Sequence, residues 1–125
     1  MAIRTELQVR LPNSPGSLAK VTSVLISHQV RIIALSLEAS GIARLLVDNP
    51  EGAYGALTQD HMRVDKRDVI YALVAGRSIP ALLRSIGEAG VNLDYVYASS
   101  LDTDGMTALV LGVEDAVRAS AAAGI

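Results

Sequence analysis

The segment Leu11-Pro12-Asn13-Ser14-Pro15-Gly16-Ser17-Leu18 carries the residue types in this chain best suited to holding a small ligand. Gly16 precedes an apolar-periodic run, so it lets backbone N–H groups at a helix start approach a bound group closely, and such a start favours an anion. The Asn13 side chain offers an acceptor to a cationic group beside it. A purely structural reading competes, in which Asn13 or Ser14 caps the helix and satisfies its first N–H groups with no ligand present.

Other chemistry finds little footing. No G-x-S-x-G, H-E-x-x-H or G-K-[ST] element occurs, and neither histidine is placed by spacing beside a serine. His28 closes a helix, where the dipole favours a cation, and reads as a solvated cap. His61 stands in a polar linker, and two histidines with no carboxylate at ligand spacing make a poor metal site. Asp102-Thr103-Asp104-Gly105 has the outline of a calcium loop. Met106 and Ala108 fall where oxygen donors belong, however, and Val113 where a bidentate Glu belongs, so it reads as a turn. Tyr95 and Tyr97 share one strand face and read as packing residues, and Arg77 as a solvated loop cation. No catalytic residue, metal site or cofactor is expected, and the chain reads as a non-enzyme.

The elements that must position the Asn13–Leu18 loop follow from periodicity. Leu7-Gln8-Val9-Arg10-Leu11 alternates as a half-buried strand and is stopped by Pro12 to Gly16. Leu18, Val21, Leu25 and His28 mark one stripe of a helix. Val30 to Glu38 predicts a second strand, Ser40-Gly41 a turn and Ile42 to Val47 a third strand. Asp48 or Asn49 caps a short helix that begins at Pro50 and buries Ala53, Tyr54 and Leu57. His61 to Lys66 predicts a brief fourth strand. The order then recurs: strand Val69 to Val74, a helix faced by Ile79, Leu82, Leu83 and Ile86 and closed at Gly90, strands Val91 to Ser99 and Met106 to Val113, and a helix from Glu114 and Asp115 through Ala123.

Val30 corresponds to Val91 and Gly41 to Gly105, the second hairpin turn being longer. The expected fold is therefore α+β: two ferredoxin-like βαββαβ repeats with antiparallel sheets covered by helices on one face, at 1–66 and 67–125. On this alignment the chain ends at Ile125, where the second repeat would begin its last strand. Val69 to Val74 should then lack its usual neighbour, and a partner chain's strand is the expected cover.

Composition sets the outer bounds. Half of the 125 residues are apolar, enough for a core, yet there is no Phe, Trp or Cys. A net charge of −2 and few aromatics argue against nucleic acid and anionic membrane. Met1 to Glu6 has no signal-peptide character, and Val30 to Leu37 falls far short of the ~20 apolar residues of a spanning helix. A cytoplasmic protein is the expectation.

The Leu11–Leu18 segment, between a strand and a helix, resembles the signature of the ACT domain family, in which Asn or Asp, then Pro-Gly and Leu, open the first helix. Glu88-Ala89-Gly90-Val91-Asn92-Leu93 is similar to that family's helix-to-strand junction. The resemblance covers nearly the whole chain in two copies. It implies a regulatory protein that binds a free amino acid at the interface between two such units, its carboxylate at the helix start and its ammonium near Asn13. The implied ligand residues are Asn13, Ser14, Pro15, Gly16, Ser17, Leu18, Asn92 and Leu93. The second loop has Gly76-Arg77 where the first has Pro15-Gly16, and Arg31 stands where the second copy has Asn92. One intact loop and one intact junction per chain are therefore expected. A homodimer and an enzyme of amino-acid metabolism are the implied partners. The alternative is a ligand-free module that dimerises or docks on such an enzyme.

Overall fold

The computed structural model describes residues 2–100 and 105–125. Among the described residues there are six strands, β1 (Ile3–Arg10), β2 (Ile32–Leu37), β3 (Ile42–Val47), β4 (Arg63–Ala75), β5 (Leu93–Ser100) and β6 (Met106–Val113), and four helices, α1 (Ser17–Ser27), α2 (Pro50–Gln59), α3 (Ile79–Glu88) and α4 (Ala116–Ala123), in the order β1-α1-β2-β3-α2-β4-α3-β5-β6-α4. The strand order is β2-β3-β1-β4-β6-β5, antiparallel throughout the registered pairs. The chain divides into two compact units, Thr5–Arg67 and a second made of Met1–Arg4 with Asp68–Ile125.

In the unit Thr5–Arg67, alternation along the strands sorts side chains between two faces. Leu7 and Val9 of β1 stand opposite Leu45 and Ala43 of β3. All four are fully buried with Val21 and Leu25 of α1 and Ala53 and Leu57 of α2. Both helices therefore cover one face. Asn49 caps α2 by accepting from the Gly52 N–H at 3.1 Å, with Pro50 at the first helical position and Glu51 in the first turn.

The other unit repeats the plan. Ile70 and Ala72 of β4 stand opposite Leu111 and Leu109 of β6 and are buried under Leu82 and Ile86 of α3 and Ala119 of α4. Asp115 caps α4 by accepting from the Arg118 N–H at 3.0 Å. On the opposite face the Tyr95 ring lies directly over Gly112, where a Cβ would collide with it, and stacks near Tyr97 at 6.3 Å between centroids.

A matching clamp closes each hairpin. The Arg31 N–H donates to Asp48 Oδ1 (2.9 Å) while the Asp48 N–H donates to the Arg31 carbonyl (3.0 Å). Asn92 and Glu114 exchange the same pair of bonds, at 3.0 and 3.3 Å. The two positions that differ in side chain, Arg31 and Asn92, thus do the same backbone work.

Two features differ from expectation. The strands expected at His61 to Lys66 and Val69 to Val74 are not separate: from Arg63 on they form the single thirteen-residue β4, and His61 and Met62 lie in the turn before it. The strand expected to await a partner chain is flanked instead by this chain's own beginning. β1 neighbours β4, the Tyr71 N–H donates to the Ala2 carbonyl at 2.8 Å, and the Ala2 N–H reaches the Ile125 carbonyl at 3.4 Å. The Arg4 guanidinium lies 5.7 Å from the centre of the Tyr71 ring. An open edge strand has unsatisfied N–H and C=O groups, and the nearest available backbone satisfies them. The turn expected at Asp102 to Asp104 lies outside the described residues.

Candidate ligand-binding site

The β1–α1 loop ends β1 because Pro12 and Pro15 cannot donate to a ladder. The Ser17 hydroxyl folds it back, donating toward the carbonyls of Pro12 (3.0 Å) and Ser14 (2.9 Å), with the Ser14 N–H on the Pro12 carbonyl at 2.9 Å. Gly16 then takes the left-handed conformation, φ 85°, at the N-cap of α1. A side chain there would meet no atom within 4 Å, so the glycine is required by its backbone and the space beyond it is open. Unlike α2 and α4, α1 has no side-chain cap, and unlike α2 it has no acidic residue in its first turn. Asn13 and Ser14 do not perform the capping that a purely structural loop would ask of them.

Two cavities flank the loop. One of about 600 Å³ lies between Pro15, Gly16 and Lys20 on one side and Asp60, His61 and Arg63 on the other, with Arg10 at the end of β1. A smaller one, about 280 Å³, has Asn13, Ser14 and Leu18 facing Leu37, Glu38 and Gly41. Ser14, Gly16 and Ser17 line both. In the larger cavity Lys20 Nζ is 3.8 Å from Asp60 Oδ2, an atom shielded from water that accepts no hydrogen bond. Among the described residues neither Arg10 nor Arg63 has an ion-pair partner. In the smaller cavity the Ser40 hydroxyl and then Arg44, 3.3 Å away, hold the Glu38 carboxyl below the usual range.

The chain matches the model of the ACT domain pair over residues 1–122. It belongs to that family. Among solved structures, this ACT domain pair is similar to protein BT0572 from Bacteroides thetaiotaomicron, with a TM-score of 0.89 at 24% identity over 97% of this chain and 86% of that one. The ligand-free regulatory subunit of aspartate kinase from Thermus thermophilus matches with a TM-score of 0.66 at 15% identity, over 99% and 96% of the two chains. Aspartokinase III of E. coli, solved with lysine and aspartate, gives 0.60 at 16% identity over 94% of this chain and 30% of that one. No curated protein sequence matches the chain.

The two halves of the ACT pair differ at the loop. Where the first has left-handed Gly16, the second has a 3₁₀ turn, Gly76–Ser78, whose Gly76 N–H is already bonded to the Gly105 carbonyl at 2.9 Å. Asn92 and Leu93 belong to the unit that contains this closed loop and line neither cavity beside Gly16. The Asn92 side chain donates to Asp94 Oδ1 at 3.3 Å, and Leu93 packs into the core. Lys20, Asp60 and Arg63 carry no mark in the sequence that joins them to the loop; the α2–β4 turn brings the last two there, with His61 at φ 63°. Among the described residues no group of three or more His, Asp or Glu is placed to hold a metal, and no helix is long and apolar enough to cross a membrane.

Proposed function

We propose that this ACT domain pair is a regulatory module that binds a free amino acid at the Asn13–Leu18 loop and catalyses nothing itself. The observation that carries this is the uncapped, left-handed start of α1 at Gly16, opening onto a cavity of about 600 Å³. Backbone N–H groups at a helix start receive a carboxylate, and loop carbonyls and the Asp60 carboxylate lining the cavity supply acceptors for an ammonium. Its structural relative aspartokinase III, solved with lysine and aspartate, is in keeping with such a ligand. The target is then an enzyme of amino-acid metabolism.

Asn92 and Leu93 form the second part of the proposal, and Asn92→Ala is the companion test. Loss of binding assigns the junction to the ligand; unchanged binding assigns it to the clamp with Glu114. We also infer a homodimer, supported by Leu35 and Leu37, 42% and 50% exposed on β2 at one end of the sheet order. Light scattering should give twice the chain mass of 13.1 kDa, and a monomer across micromolar concentrations refutes the dimer.

The experiment is thermal denaturation against the twenty amino acids at millimolar concentration. One or a few should raise the melting point, with about 2.7 kcal/mol of stabilisation at 100 times Kd, while the decarboxylated analogue does nothing. Indifference to all twenty rejects the proposal and leaves a ligand-free docking module.

A further inference from the structure

Building on the proposed amino-acid site, we infer that its ligand is a dicarboxylic amino acid. The argument is a charge count around the larger cavity. Arg10, Lys20 and Arg63 line it, against the single carboxylate of Asp60. Lys20 and Asp60 stand 3.8 Å apart and offset one another, while Arg10 and Arg63 have no ion-pair partner among the described residues. A neutral amino acid is a zwitterion. Its carboxylate occupies the helix start, and it brings no second negative charge to the two guanidinium groups. A basic amino acid adds a third cation to a wall that already has an excess of them. An acidic side chain supplies the missing charge in the planar form that guanidinium binds through two parallel hydrogen bonds.

The ammonium has its own acceptor. The Asp60 side chain lines the cavity and is 41% exposed, so its carboxylate is open to a charged donor beside Lys20. Two carboxylates and one ammonium thus match two free guanidinium groups, one helix start and the cavity's single carboxylate.

Titration calorimetry on the full chain separates this inference from the reading beneath it. The probes are L-aspartate, L-glutamate, their amides L-asparagine and L-glutamine, L-lysine and succinate. Aspartate or glutamate should bind at least about tenfold more tightly than its own amide and than lysine. Arg63→Gln, at an exposed position, should weaken that binding about tenfold with the unliganded melting point unchanged. Asp60→Asn should remove the advantage of aspartate over succinate. An amide or lysine binding as tightly as the acid overturns the inference while leaving an amino-acid site in place. Succinate matching aspartate in the unmutated chain also overturns it, because Asp60 would then receive no ammonium. Silence from every amino acid removes both the inference and the site.

Discussion

At the scale of single residues, Gly16 carries the sharpest consequence. Its φ of 85° lies where an L side chain costs about 1–2 kcal/mol, and the space beyond it is open. Gly16→Val should lower unfolding free energy by roughly that amount and abolish amino-acid stabilisation in a thermal shift assay. Arg77→Val, in the closed second loop, should keep the ligand response; equal loss in both variants argues against a site built on the first loop. Glu38, beside the smaller cavity, gives a test in pH. Its folded-state pKa is depressed by the Ser40 hydroxyl and then by Arg44. The ionised carboxylate therefore contributes stability above its unfolded pKa, and that contribution is lost as the pH falls through the lower folded value. An NMR titration of the Glu38 carboxyl should place its midpoint below the ordinary carboxylate range and show it rising in Ser40→Ala.

At the scale of elements, the two hairpins are closed by one device with different side chains. Asp48 and Glu114, each just after the second strand of its hairpin, receive an N–H from the residue that leads into the first, and each returns its own. Packing across the β5–β6 hairpin then depends on a missing side chain. The Tyr95 ring occupies the volume that a Cβ on Gly112 would need. Gly112→Ala should cost about 1–3 kcal/mol in chemical denaturation, as overpacked sites do, and should disturb the Tyr95 ring resonances. An alanine variant of full stability with an unmoved ring would show that the ring does not depend on the glycine.

At the scale of the whole molecule, the chain's first residues cover one side of β4. Ala2 accepts from the Tyr71 N–H and packs against the core of Ile70, Leu111 and Ala119. Deleting the residues before Thr5 removes this cover and exposes one side of β4. We expect a lower melting point, faster hydrogen exchange at the Tyr71 amide and a tendency to aggregate, since an open apolar edge recruits other strands. A truncated chain with unchanged exchange at Tyr71 would contradict this role for the N-terminal residues.

The sequence alone determined the element types, their doubled order and the loop before α1. Each of those rests on signals between near neighbours: alternation in Leu7 to Leu11, the stripe of Val21 and Leu25, the prolines that stop β1, Asn49 before Pro50. Even the clash of Pro15-Gly16 with Gly76-Arg77 was legible, because turn chemistry is local. The tertiary structure decided what distant segments do to one another. That β4 runs unbroken from Arg63 to Ala75, and that Ala2 serves Tyr71, follow from backbone hydrogen bonds, which any residue type can make and no side chain announces. The clamp gave Arg31 and Asn92 one role for the same reason. Asp60 and Arg63 met Lys20 and Gly16 only because the α2–β4 turn returns the chain to the start of α1, a convergence that residue spacing does not encode.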